Sequence, residues 1–105
     1  MFHSTHVFTG ETICRRPAQN YTEFTDELNR LQTLQQTFAQ SSITERTTLL
    51  QQFADSLTQN QERLAEMVCE EVGRCLHECR AEISKSIELI RYYIRLAPEL
   101  LAHKT

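Results

Sequence analysis

The chain has 105 residues, a mass of 12.3 kDa and a formal net charge of −3, with eleven Lys and Arg against fourteen Asp and Glu. This length allows one domain at most and leaves little room for a deep cofactor cleft beside a core. The acidic balance, with basic residues scattered along the chain, argues against nucleic acid as a partner. No apolar run approaches the ~20 residues that span a bilayer, so no membrane partner is expected either.

The first 18 residues predict a short β-hairpin. Residues 7–14 are rich in β-branched and aromatic side chains around Gly10, which favours two short strands that turn at Thr9 and Gly10. Pro17 closes this segment because it has no amide hydrogen to donate to a strand ladder. Residues 1–6 lack the charged and apolar regions of a signal peptide, so we expect a cytoplasmic protein.

The helical pattern begins at Asn20, which forms a predicted capping box with Glu23. Apolar residues then recur at intervals of three and four, which predicts an amphipathic helix that runs to about Gln40. Its apolar stripe consists of Phe24, Leu28, Leu31, Leu34 and Phe38.

A second capping box, Ser42 with Glu45, predicts the start of a second helix. The apolar periodicity places one side of this helix in a core. The side chains expected to be buried are Leu49, Leu50, Phe53, Ala54 and Leu57.

Asn60 is the predicted N-cap of a third helix, with Glu62 in its first turn and Gly73 as the left-handed residue that ends it. Its apolar side consists of Leu64, Ala65, Val68, Cys69 and Val72.

A last helix is expected from about Cys75 to about Leu96, with Pro98 as its stop because proline cannot continue the backbone hydrogen bonds. Its stripe consists of Leu76, Cys79, Ile83, Ile87, Ile90 and Ile94, and Leu100 and Leu101 follow without an evident partner. The predicted fold is therefore mainly α, a short N-terminal β-hairpin followed by three to four amphipathic helices. We expect residues 1–105 to form a single partial domain, with the hairpin in residues 1–18 and the helices in residues 20–101.

The cysteines at positions 14, 69, 75 and 79 are expected to be reduced thiols, since no secretory signal accompanies them. Cys75 and Cys79 share a helix face at a spacing of four, but His77 lies roughly 160° around the helix from both, outside a common metal site. The hypothesis we favour is that Cys69 and Cys79 are small apolar residues of helix stripes. A cysteine-based metal or redox module remains a minor hypothesis.

No histidine has a spacing that recruits a nucleophile, so His3, His6, His77 and His103 are interpreted as solvated side chains. The acidic residues Glu66, Glu70, Glu71, Glu78 and Glu82 are interpreted as a charged helix surface rather than an acid–base cluster. Two pairs at helical spacing support that interpretation: Glu70 with Arg74, and Glu82 with Lys85.

Two tyrosines, Tyr92 and Tyr93, lie between Arg91 and Arg95 and form a weak candidate for stacking on a planar ligand. We favour a structural interpretation in which Tyr93 is buried beside the isoleucine stripe and Tyr92 directs its hydroxyl outward. Glycine is too scarce for a phosphate-binding turn, since Gly10 and Gly73 are far apart.

Several motifs, taken in order, resemble the N-terminal region of NAD(P)-dependent aldehyde dehydrogenases. They are Thr9-Gly10-Glu11, the helix from Asn20, the stretch 42–57 with Glu45-Arg46 and Phe53-Ala54, Glu71-Val72-Gly73-Arg74, the stretch 80–86, Tyr92-Tyr93 and Ala97-Pro98. The stretch from Arg80 onward is most similar to the bacterial succinate-semialdehyde dehydrogenase branch. The sequence departs from the family pattern at His6-Val7, where asparagine-proline is usual, at Arg74 for lysine and at Cys75 for proline.

This resemblance implies that the chain forms the outer part of an aldehyde dehydrogenase cofactor-binding domain. In that family the glycine-rich turn, the general base and the nucleophilic cysteine come later in the chain, so we expect no catalytic, cofactor-binding or metal-binding residue here. The cofactor of the parent family is NAD or NADP.

Two hypotheses follow from the resemblance. In the first, the chain is an N-terminal portion of an aldehyde dehydrogenase, from a truncated gene, a frame break or a cloned segment, and is inactive alone. Its partner is then the remainder of the enzyme or another subunit, and it can self-associate. In the second, it is a free-standing helical interaction module that binds an intact dehydrogenase subunit.

Overall fold

The structure is a computed structural model that describes residues 1–102. It confirms a mainly helical chain that starts with a two-stranded antiparallel hairpin. The strands of the described range are β1 (Phe2–Thr5) and β2 (Thr12–Arg16), and its helices are α1 (Tyr21–Phe38), α2 (Ile43–Gln59), α3 (Gln61–Val72) and α4 (Leu76–Leu100).

The predicted hairpin is confirmed, but its first strand lies earlier than the sequence indicated. Strand pairing joins Phe2 to Arg16, so Val7 and Phe8 belong to the turn and not to a strand. The turn is closed by backbone bonds between His6 and both Gly10 and Glu11, and the His6 Nδ1 also accepts from the amides of Phe8 (3.2 Å) and Thr9 (3.3 Å). A histidine interpreted as solvated therefore shapes the turn.

Both predicted capping boxes are confirmed. The Asn20 side chain accepts from the Glu23 amide at 2.9 Å, and the Glu23 carboxylate accepts from the Asn20 amide at 3.0 Å. Ser42 and Glu45 make the same reciprocal pair at 3.1 and 2.8 Å. Each box satisfies two amides that a helix start leaves without partners.

Asn60 occupies the N-cap position of α3, but its predicted side-chain cap is wrong. Only this residue separates α2 from α3, and its φ and ψ of −105° and 14° differ from the extended conformation of a capping residue. Its side chain instead donates to the Ser56 carbonyl at 2.8 Å, which helps to close α2.

Gly73 ends α3 as predicted, with φ at +80°, and its amide donates to the Cys69 carbonyl at 2.9 Å. Pro98 does not stop α4, which continues to Leu100 and closes with a 2.9 Å bond from the Leu101 amide to the Ala97 carbonyl. The prediction of a stop at Pro98 is wrong by two residues, because α4 tolerates the missing proline amide hydrogen and includes Glu99 and Leu100 before it ends.

The core is a narrow line where α4 packs on α2 and α3. Its buried apolar side chains among the described residues are Ala54, Ala65, Cys79 and Ile87. Three of these are small, so the layer is thin, with extents of 59 × 41 × 19 Å. The radius of gyration, 18.4 Å, exceeds the ~13 Å expected of a compact domain this long. Most of the apolar side chains therefore lie at the surface.

Within residues 1–102 no helix is both long and apolar enough to cross a membrane.

Candidate docking surface

The apolar stripe of α1 is exposed along the whole helix. Each of its five side chains is between 43% and 52% exposed: Phe24, Leu28, Leu31, Leu34 and Phe38. Among the described residues, α1 makes no extended packing contact with another helix. The amphipathic pattern was predicted correctly, but among residues 1–102 no helix packs along the apolar side of α1.

The C-terminal end of α1 is held by Arg46 of α2. The Arg46 guanidinium lies 5.0 Å from the ring centroid of Phe38 and donates to the carbonyls of Phe38 and Ala39, both at 3.2 Å. Its Nε also donates to Ser41 Oγ at 2.9 Å. These contacts fix the corner between α1 and α2, so the α1 stripe is presented from an anchored helix.

The buried face predicted for α2 is only partly correct. Ala54 is buried and Leu57 is half-buried, whereas Leu49 and Phe53 are 54% and 53% exposed. Successive helical residues lie about 100° apart, so Phe53 points well away from the line on which Ala54 meets the core. Leu49, Leu50 and Phe53 therefore add a second exposed apolar area. We call this area together with the α1 stripe the docking surface.

Polar contacts lock α3 and α2 onto α4. Arg80 on α4 makes a bidentate pair with Glu62 on α3, at 3.0 Å from Nε and 2.6 Å from Nη2, and these hydrogen bonds lower the pKa of the Glu62 carboxyl. Arg91 on α4 donates to the Thr58 hydroxyl of α2 at 3.2 Å. These interhelical contacts have no local sequence signal, because their partners lie 18 and 33 residues apart.

The ion pairs predicted from helical spacing are replaced by a different one. Arg74 pairs with Glu82 and not with Glu70, because α3 ends at Val72 and leaves Arg74 outside the helix. Glu82 is consequently engaged by Arg74 rather than by Lys85. The interpretation of a solvated charged surface holds, since both partners of the Arg74–Glu82 pair are about half exposed.

The thiols occupy different environments. Cys79 is fully buried, and burial, followed by the influence of Cys69, raises the pKa of its thiol. A raised pKa disfavours the thiolate that a nucleophile requires, so Cys79 acts as a small apolar residue, as predicted. Cys69 is half-buried, and Cys75 is exposed at the N-cap of α4 rather than inside that helix. No group of metal-binding side chains occurs within residues 1–102.

The two tyrosines meet edge to face, with ring centroids 5.3 Å apart. Tyr93 was expected to be buried, and this is wrong, since it is 54% exposed. The packed side of α4 is narrow and runs through Ile83, Ile87 and Ile94, which leaves Tyr93 beyond its margin. His3 and His77 are exposed as expected, and His103 lies outside the described residues.

The model of the aldehyde dehydrogenase family matches residues 1–105. The chain belongs to this family. A curated relative, the succinate-semialdehyde dehydrogenase [NADP(+)] of Deinococcus radiodurans, is 25% identical over 104 residues. The aligned stretch is 99% of this chain and 22% of that enzyme, so the chain spans about a fifth of its relative's length.

Two motifs of this aldehyde dehydrogenase chain, distant in sequence, lie close together in its fold. The Thr9-Gly10-Glu11 motif is in the hairpin turn, and Glu71-Val72-Gly73-Arg74 ends α3. The Val7 amide of the turn donates to the Glu70 carbonyl at 2.8 Å, and a Cβ at Gly73 would lie 3.1 Å from Val7 Cγ1. Gly73 therefore ends α3, and its lack of a side chain leaves space for Val7 of the hairpin turn. Both are structural roles. That this stretch contains no catalytic or cofactor-binding residue stays a prediction.

Proposed function

We propose that this chain is an N-terminal scaffold segment of an aldehyde dehydrogenase, and that its docking surface packs against the remainder of such an enzyme. The observation that carries the proposal is the α1 stripe, which is exposed along an 18-residue helix that is capped at one end and anchored at the other. A helix with one apolar face needs a partner for that face. Membership of the family suggests which partner it is.

Full burial of a large apolar side chain contributes about 1.5–3 kcal/mol, so covering the exposed half of each α1 stripe residue contributes about 1 kcal/mol. Five such residues supply roughly 5 kcal/mol before the cost of association. Association costs about 4–15 kcal/mol, so the α1 stripe offsets the lower end of this cost and the exposed apolar side chains of α2 have to contribute the remainder.

On this proposal the chemistry belongs to the remainder of the enzyme. The parent enzyme oxidises an aldehyde such as succinate semialdehyde to the carboxylate, with NAD or NADP bound outside this chain. The chain alone is inactive, and it acts in the cytoplasm.

Co-expression tests the proposal. The chain is produced together with the Deinococcus enzyme from which the aligned 22% has been removed, and NADP reduction by succinate semialdehyde is measured. We expect co-purification and activity only when both pieces are present.

Substitutions on α1 show whether the docking surface is responsible. Leu31→Glu with Leu34→Glu should abolish co-purification, since both carboxylates enter the apolar contact. Asn29→Glu with Gln36→Glu, on the opposite side of α1, is the matched control and should have no effect. If the two pieces fail to co-purify, the proposal is wrong.

The same exposed stripe supports the second candidate function, an interaction module for an intact dehydrogenase subunit. Mixing the chain with the full-length relative distinguishes the two. Capture of the intact enzyme but not of the shortened one favours the interaction module.

A further inference from the structure

The side of α4 that faces away from the core carries a second apolar stripe. Ile87 is buried at the core, whereas Leu89, about 160° around the helix, is 55% exposed. Tyr92 is 48% exposed and Leu96 is half-buried on the same side. We call this side the outer face of α4.

No other described element covers the outer face. Three shallow grooves run along it, and each is lined only by residues of α4. α2 and α3 both pack on the opposite side. A partner helix can therefore approach over the length from Lys85 to Glu99 without displacing any described part of the chain.

The charges on the outer face are arranged symmetrically but with opposite signs. Lys85 lies seven residues before Tyr92 and Glu99 seven residues after it, while Glu88 precedes Tyr92 by four and Arg95 follows it by three. None of these four charged side chains is in an ion pair with another described residue. The face is therefore complementary to a reversed copy of itself.

We propose that two copies of this chain associate through antiparallel pairing of their α4 outer faces. With the two-fold axis near Tyr92, Lys85 of each copy meets Glu99 of the other, and Glu88 meets Arg95. Tyr92 of one copy lies beside Tyr92 of the other at the axis, and on each side of it Leu89 packs against the second copy's Leu96. A parallel arrangement would instead place each charged side chain beside the identical side chain of the second copy, and like charges repel.

The contact is a single helix pair, so it falls in the class of small, transient interfaces. Charged pairs at its rim set orientation more than affinity. The pairing uses α4, whereas docking on a dehydrogenase uses α1 and α2, and either can therefore fail without the other.

Charge reversal provides the test, with sedimentation equilibrium from micromolar to millimolar chain as the measurement. Glu88→Arg and Arg95→Glu each turn two attractive pairs into repulsive ones, so each should weaken self-association by about tenfold or more. An equimolar mixture of the two variants should form a heterodimer as strong as the unaltered homodimer, because opposite charges then meet again.

Matched controls are Arg63→Glu and Glu71→Arg, exposed charges on α3 that should leave association unchanged. The series is repeated with Leu31→Glu and Leu34→Glu to remove any association through α1, and circular dichroism confirms that each variant is folded. The proposal is overturned if the chain is monomeric throughout, or if both reversals associate like the unaltered chain. It is also overturned if mixing them restores nothing.

Discussion

At the scale of single residues, Gly73 meets two separate demands. Its φ of +80° lies in the left-handed region, where a Cβ is strained, and the hairpin turn fills the space into which a Cβ would point. Gly10 has nearly the same conformation, with φ at +75°, but nothing lies within 4 Å of its Cβ position. A substitution at Gly10 therefore tests backbone strain alone, whereas the same substitution at Gly73 tests backbone strain and packing together.

We predict that Gly73→Ala destabilises the chain more than Gly10→Ala. Each substitution incurs about 1–2 kcal/mol for a left-handed residue with a Cβ, and only Gly73→Ala also collides with Val7 Cγ1, 3.1 Å away. Urea unfolding of both variants gives the difference. Adding Val7→Ala should remove it, and equal losses for the two glycines would contradict the packing role.

The sequence indicated only half of the role of Gly73. A glycine after an apolar helical run predicts a helix end, because that signal is local. The contact with Val7 joins residues that are far apart in the chain, and no periodicity reports it. The same distinction explains why the buried state of Cys79 was predicted from its stripe while the Arg80–Glu62 pair was not.

At the scale of elements, α1 and α2 have equivalent caps but different support. Both begin with a reciprocal capping box. α2 also packs along α4, whereas α1 makes no extended contact with another described helix and is anchored at its Arg46 corner. The capping box therefore contributes a larger fraction of the stability of α1 than of the stability of α2.

We predict that Asn20→Ala and Ser42→Ala, each costing about 1 kcal/mol, have different consequences. Asn20→Ala should raise hydrogen exchange along α1 while leaving the melting temperature of the α2, α3 and α4 unit nearly unchanged. Ser42→Ala should lower that melting temperature. Gln52→Ala, at an exposed position of α2, is the control, and an effect as large as that of Ser42→Ala would contradict the observed capping.

Helix boundaries were predictable where residues close in sequence determine them, through a capping hydrogen bond or a glycine with positive φ, and less so elsewhere. Asn20, Ser42 and Gly73 act within four residues of the helix end, so their patterns were sufficient. Pro98 was misjudged because α4 tolerates the missing amide hydrogen of the proline and continues through Glu99 and Leu100, which no local pattern indicates. The sequence showed which residues of α2 are apolar, but tertiary packing decides which of them contact α4, and this was not predictable from the pattern.

At the scale of the whole molecule, the chain is a thin layer with apolar side chains on its surface. Its accessible surface is 8659 Å², whereas a compact monomer of this mass exposes roughly 6,100 Å². Large exposed apolar areas mark interaction sites in soluble proteins. The flat shape thus agrees with a segment that needs a partner on at least one side.

We predict that the isolated chain binds a hydrophobic dye through α1. Leu31→Gln with Leu34→Gln should reduce dye fluorescence and leave the melting temperature almost unchanged, because both side chains are already about half exposed. Ile87→Gln, at the core, should lower the melting temperature strongly, since it buries an amide without a partner. Loss of stability in the α1 variant would show that its stripe is packed in solution.

The bond between the Val7 amide and the Glu70 carbonyl also bears on the order of folding. Its two groups are separated by 63 residues, so on the ribosome the hairpin is made long before its docking site exists. At ordinary synthesis rates the interval is on the order of several seconds, while a hairpin forms in microseconds. The hairpin strands therefore remain undocked until Gly73 emerges, and the last turn of α3 is completed by a segment that was synthesised earlier.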